Sequence, residues 1–160
     1  MTMGSGVLYF DLETANADQL HTYGPGFIRL AAWAWNDGPI TVTDDIGKLL
    51  TQLEQARFIV GHNILGFDLP ALERYHALDV ESLVAANKVL DTLLAARQCD
   101  PPRAGGVDGG RYSLGSLGAR LVGKSKLEDA DDTLLKSLAE EYGGYDAIGQ
   151  VHGSGVSAFR

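Results

Sequence analysis

An α/β architecture built on a mixed five-stranded sheet is the fold class that this sequence predicts, and three observations predict it. An apolar run, Val7-Leu8-Tyr9-Phe10, leads directly into Asp11-Leu12-Glu13-Thr14, and such a run marks a strand buried on both faces by flanking helices. Two further strand-like runs are joined by an Asn36-Asp37-Gly38-Pro39 turn, which gives an antiparallel meander. Beyond Asp45, helical patterns alternate with short apolar runs, the arrangement of parallel strands connected by helices.

Composition bounds the answer. The chain has 160 residues, enough for one domain with a proper core. A hydrophobic fraction of 45% with 21% charged residues is ordinary for a globular protein. No apolar run approaches the ~20 residues of a membrane span, and the opening Met1-Thr2-Met3-Gly4-Ser5-Gly6 has no basic or apolar signal segment. Cys99 is alone, so neither an intramolecular disulfide nor a thiolate metal site is spelled out. These features predict a cytoplasmic protein without a membrane partner. The net charge of −8 weighs against nucleic acid. Its distribution softens that, because Arg97, Arg103, Arg111, Arg120, Lys124 and Lys126 gather in one region ahead of an acidic stretch from Glu128 to Asp146.

The elements follow in order. Val7–Thr14 is the first strand, and Ala15–Gly26 is a loop closed by Gly24-Pro25-Gly26. Phe27–Trp35 and Ile40–Thr43 complete the meander. Asp44 or Asp45 can cap a helix from Ile46 to Gln55 that presents Ile46, Leu49, Leu50 and Leu53 on one side. Phe58–Gly61 is a fourth strand. A helix beginning near Ile64 and reaching about Tyr75 tolerates Pro70 only in its first turn, which places Asp68 near its N-terminus. Asp79–Ala86 is helical, and Lys88-Val89-Leu90 is the fifth strand. Asp91 or Thr92 then opens a helix through Arg97, with Asp91 the natural cap. Asp100–Arg111, rich in proline and glycine, is a loop. Ser113–Val122 is a helix with Leu114, Leu117 and Leu121 on one side, and Asp131–Tyr142 is another carrying Leu134, Leu135 and Leu138. From residue 149 the chain reads as an irregular or disordered tail, leaving 1–148 as the domain.

Two carboxylates separated by one residue on a strand project from the same face, so Asp11 and Glu13 converge. Burying them unpaired would cost several kcal/mol, and oxygen-only ligation of a hard divalent cation, Mg²⁺ or Mn²⁺, is the usual remedy. The alternative is a strand end frayed into solvent with two ordinary acids.

Taken with Asn63-x-x-x-Phe67-Asp68 at a helix start and Asp91-Thr92-Leu93 further on, this pair resembles the DEDD (DnaQ-like) family of 3′–5′ exonucleases, which have an RNase H-like fold. Tyr9-Phe10-Asp11-Leu12-Glu13-Thr14 is similar to the family's first motif. The run from Val60-Gly61-His62-Asn63 through Phe67-Asp68-Leu69-Pro70 to Leu72 is similar to its second. Tyr112-Ser113-Leu114-Gly115, Leu121-Val122-Gly123-Lys124 and Tyr142-Gly143-Gly144-Tyr145-Asp146 extend the likeness toward the proofreading domains of phage-type family A DNA polymerases.

The resemblance implies two divalent ions, Mg²⁺ or Mn²⁺, held by Asp11, Glu13 and Asp68, with Asp11 serving both. It implies contacts from Leu12, Thr14 and Phe67 to the terminal nucleotide and from Asn63 to its sugar–phosphate. Tyr142 would orient the attacking water. The family's fourth carboxylate follows a tyrosine by four positions on a late helix, and Tyr142-x-x-x-Asp146 is a formal match. Gly143-Gly144 would destabilise such a helix by roughly 1 kcal/mol per glycine. Two alternatives follow: Asp146 is the fourth ligand, or the chain stops or has diverged before it. The implied activity is removal of nucleotides from the 3′ end of single-stranded DNA, beside a polymerase domain or subunit. RNA trimming and a non-catalytic remnant that binds nucleic acid or protein are the alternatives.

Overall fold

The computed structural model describes residues 6–101 and 110–123. The five strands are β1 (Val7–Thr14), β2 (Ile28–Trp35), β3 (Thr41–Thr43), β4 (Phe58–Gly61) and β5 (Val89–Asp91), and they form one sheet in the order β3-β2-β1-β4-β5. β1–β2 and β2–β3 are antiparallel, whereas β1–β4 and β4–β5 are parallel. The expected α/β class with a mixed sheet is therefore present, and its strand order is compatible with an RNase H-like fold. β1 is central because the chain switches there from hairpin pairing to crossover pairing, the position where open α/β sheets place their clefts.

The helices are α1 (Ile46–Gln55), α2 (Asp68–His76), α3 (Val80–Ala85), α4 (Thr92–Cys99) and α5 (Leu114–Val122). α1 contributes Ile46, Leu49 and Leu53 to the core, and α2 contributes Leu69, Ala71 and Leu72. Both helices cover the sheet face that carries Leu8, Phe10, Leu12, Trp33 and Ile59. The other face of β1 carries Tyr9, Asp11 and Glu13, all exposed. β1 thus alternates instead of being buried on both sides, because α1 and α2 share one face. Trp33 is core as its apolar neighbours require, and the Trp35 indole donates to Gln52 Oε1 at 2.8 Å.

Some element ends differ from expectation. Ile64–Phe67 is a turn, not the first helical turn, because Asn63 sits in the left-handed region at φ 63° and Phe67 is non-helical at φ −143°, ψ −64°. Asp45 occupies the cap position of α1 without a capping side-chain bond. In α5, Leu117 is buried while Leu114 and Leu121 are exposed among the described residues. The helix expected over 131–142, Tyr142, Asp146, the domain boundary at 148 and the tail 149–160 lie outside the described residues. No helix among them is long and apolar enough to cross a membrane.

Candidate active site at the carboxyl end of the central strand

β1 outruns its parallel neighbour. Its pairing with β2 continues to Thr14, but its pairing with β4 ends at Tyr9–Val60. From Phe10 onward one edge of β1 therefore has backbone groups with no strand to bond, and an unpaired buried amide is unfavourable. Asp68 fills the gap. Its Oδ1 accepts the Leu12 N–H at 3.2 Å, a bond between residues 56 apart in sequence. The second motif thereby reaches between the two carboxylates of the first, with Asp11 and Glu13 flanking the residue that Asp68 holds.

Burial at this place has an electrostatic consequence. Asp68 is buried on α2, and its carboxyl is pushed up to about 7, first by desolvation, then by the neighbouring Asp11 charge, with a smaller contribution from Asp91. The Leu12 amide opposes that shift without cancelling it. Asp11 and Glu13 stand on the exposed face of β1, opposite Ala32 and Leu30 of β2.

The turn that delivers α2 is fixed from β5. Asp91, the last residue of β5, is buried and paired with Gly61 across the parallel ladder. Its Oδ1 accepts from Asn63 N at 3.0 Å and from Leu93 N at 2.8 Å, and its Oδ2 accepts from Leu65 N at 3.0 Å. The neighbouring Thr92 hydroxyl donates to the Gly61 carbonyl at 3.2 Å. His62 Nδ1 lies 3.0 Å from the same hydroxyl oxygen, so with the hydroxyl proton committed to Gly61 the ring is the donor there. His62 is accordingly a structural hydrogen-bonder. Gly61 cannot carry a side chain: a Cβ would lie 2.2 Å from Ile64 Cγ2 and 3.0 Å from the Phe10 carbonyl oxygen.

The remaining expected residues divide. Asn63 is exposed on this turn, with its side chain against Gly66, where a Cβ would approach Asn63 Oδ1 to 2.5 Å. Phe67 is half-buried and leans on Phe27, ring centroids 6.2 Å apart, with its backbone beside Asp68. Thr14 is half-buried at the register shift ending β1, its hydroxyl donating to the Ala15 carbonyl at 2.8 Å. Leu12 is core, on the face away from Asp11 and Glu13, so the fold brings its amide and not its side chain to the site. The fold gathers Asp11, Asp68 and Asn63 near one strand end, with Glu13 one pleat further along. The clamp from Asp91 to the turn is invisible in sequence, where a strand-end aspartate before a helix reads only as a cap.

A divalent cation fits part of what is present. A buried carboxyl whose proton affinity is raised by a neighbouring carboxylate, as Asp68 is by Asp11, is relieved by a hard cation. Among the described residues, however, no three His, Cys, Asp or Glu side chains form a ready cluster for a metal ion. Asp11 and Asp68 are the pair that would hold one, with Glu13 on the same face of β1. A separate groove, lined by Pro25, Asp45, Arg74 and His76 among others, shares no lining residue with this site.

Neither a family model nor a curated protein matches the chain. Among solved structures, the family B DNA polymerase from the hyperthermophilic archaeon Pyrobaculum calidifontis matches with a TM-score of 0.36 and 22% identity. The likeness covers 45% of this chain and 11% of the polymerase, so the chain is similar, over part of its length, to a small portion of a DNA polymerase.

Proposed function

We propose that this chain is a metal-dependent 3′–5′ exonuclease domain that trims the 3′ ends of single-stranded DNA. One observation carries the reading: the Asp68 carboxylate, buried and pushed up to about 7, is seated on the Leu12 amide between Asp11 and Glu13. Burying a carboxylate beside another is unfavourable in an inert fold and is characteristic of sites that bind cations or protons. Asp11, Glu13 and Asp68 would hold Mg²⁺ or Mn²⁺, which supplies Lewis-acid activation for phosphodiester hydrolysis. Asp11 and Glu13 would offer their carboxylates from the exposed face of β1, and Asp68 its own from a buried position. Asn63 and Phe67, on the β4–α2 turn, would meet the sugar–phosphate and the terminal base. Tyr142 and Asp146, as water-orienting and fourth acidic groups, complete the proposal from outside the described residues, and association with a polymerase domain or subunit belongs to the same reading.

The test is release of mononucleotides from a 3′-labelled single-stranded DNA by the full chain with Mn²⁺, with an RNA of the same sequence in parallel. Digestion of DNA that Asp11→Ala and Asp68→Ala each abolish supports the proposal. Preference for the RNA would move the substrate class to RNA trimming. A second reading, a non-catalytic remnant that binds nucleic acid or protein, is favoured by one observation: no three ligand-type side chains cluster among the described residues. No digestion of either strand with Mn²⁺, together with retained binding of the labelled strand, would select it.

A further inference from the structure

Asp91 has no place in the proposed chemistry, yet it is one of two buried acidic residues among those described, the other being Asp68. A buried carboxylate must be satisfied, and its partners say what it is for. Asp91 is satisfied by amides alone. Oδ1 takes Asn63 and Leu93, with Leu94 more distant at 3.4 Å, and Oδ2 takes Leu65. Both oxygens are thus occupied by N–H donors, which argues against Asp91 as a further metal ligand. Capping α4 requires only the Leu93 and Leu94 bonds. The Asn63 and Leu65 bonds serve another purpose, because they tie β5 to the turn that precedes α2.

That turn is short and geometrically committed. Asn63 is left-handed, Gly66 N and Phe67 N both bond back to the Asn63 carbonyl at 3.0 Å, and Leu69 N bonds to Ile64 O at 2.9 Å. The position of Asn63 and Ile64 therefore sets the origin of α2, and Asp68 is its first residue. Asp68 in turn bridges to β1 through the Leu12 amide. A continuous chain of hydrogen bonds runs from Asp91 on β5, through residues 63–65 and the start of α2, to Leu12 on β1.

We infer that Asp91 is the positioning residue of this site: its carboxylate holds the Asn63–Leu65 turn and thereby seats the Asp68 carboxylate against the Leu12 amide between Asp11 and Glu13. The kinetic meaning of this role rests on the nuclease reading, but the structural coupling does not. Asp91→Asn keeps the side chain's shape and its Oδ1 acceptor while replacing the acceptor that faces Leu65 by an NH₂ group.

Amide hydrogen exchange on the full, metal-free chain reads the coupling residue by residue. In Asp91→Asn the Leu65 amide, which loses its acceptor, and with it the Asn63 amide on the loosened turn are expected to exchange at least tenfold faster. The decisive probe is the Leu12 amide, which is not a hydrogen-bond partner of Asp91 and is reached from it through the turn and Asp68. It should accelerate by a similar factor while the α1 amides of Leu49 and Leu53, and the Leu8 amide of the β1–β4 ladder, stay within twofold. A cap with a merely local role would free Leu65 and leave Leu12 protected, and that result would overturn the inference. Should the variant not fold, the wild type answers the same question. Under native-state exchange in low guanidinium, Leu12, Asn63 and Leu65 should share one opening with one denaturant dependence, and separate openings would overturn it. If the chain digests DNA, Asp91→Asn should lower kcat more than it changes KM. Absence of digestion would sink the nuclease reading while leaving the Leu12 result to stand or fall alone.

Discussion

Asp68 is the residue at which burial and charge oppose each other. Its carboxyl titrates near 3.8 when solvated and at about 7 in the fold. A raised acid pKa means that the folded state binds the proton more tightly, so the penalty is absent below about pH 4, grows between about pH 4 and 7, and is constant above. That displacement corresponds to a loss of stability on the order of 4 kcal/mol across the window. Asp68→Asn retains an acceptor for the Leu12 amide and has no charge to desolvate. The metal-free variant should therefore be more stable than the wild type at pH 8 and nearly equal to it at pH 4, as chemical denaturation at the two pH values would read. Equal pH profiles for the two proteins would show that the carboxylate is not strained. On activity the same residue has the opposite sign. Asp11→Ala and Asp68→Ala should each lower mononucleotide release by at least about a hundredfold, the order of effect of losing a group that stabilises transition-state charge.

At the scale of elements, the site exists because two strands end at different places. β1 continues past β4, the chain leaves β4 through a turn too tight for any side chain at Gly61, and the first residue of the next helix drops into the unpaired edge. Gly61→Ala would drive a methyl into Ile64 and the Phe10 carbonyl, so it should destabilise the fold by about 2–3 kcal/mol, as overpacked positions do. It should also disturb the Asp68 seat, and a thermal melt with Leu12 exchange would check both. Gly66→Ala meets only the movable end of the Asn63 side chain. It should be milder in stability, near or below about 1 kcal/mol, and should raise KM for a DNA end if Asn63 contacts the sugar–phosphate. α5 is held at its start by a Ser113 cap and at its centre by Leu117. Its neighbour Tyr112 is buried, with the hydroxyl donating to the Asp100 carbonyl and Arg97 lying 5.8 Å from the ring centroid.

For the whole molecule, cation binding and folding are linked, since a ligand that binds only the folded state stabilises it in proportion to its occupancy. Mn²⁺ at about a hundred times its dissociation constant should raise the melting temperature of the wild-type chain by roughly 5–10 °C at pH 8. The same addition should leave Asp68→Asn within a degree or two. A calorimetric or fluorescence melt decides, and equal shifts in the two proteins would place the cation elsewhere. Among the described residues, α1 and α2 cover one sheet face while Tyr9, Val42, Phe58 and Leu90 remain exposed on other surfaces of the sheet. The acidic groups Asp11 and Glu13 share a face with Tyr9.

Local pattern alone determined the class of this protein. Strand and helix periodicities, the Asn-Asp-Gly turn and the capping residues depend on neighbours in the chain, and all five strands and α1–α5 stand near where those signals put them. The convergence of Asp11 with Glu13 was legible for the same reason, being a property of one strand. Tertiary structure alone decided the rest. That Leu12 contributes an amide and sends its side chain to the core follows from which face α1 and α2 cover. That Asp91 holds a turn as well as a helix follows from the β4–β5 register. That Asp68 is seated on β1, at the expense of its own ionisation, follows from a hydrogen bond spanning 56 residues. Such a bond is set by where strands begin and end in space, and no spacing along the sequence encodes it.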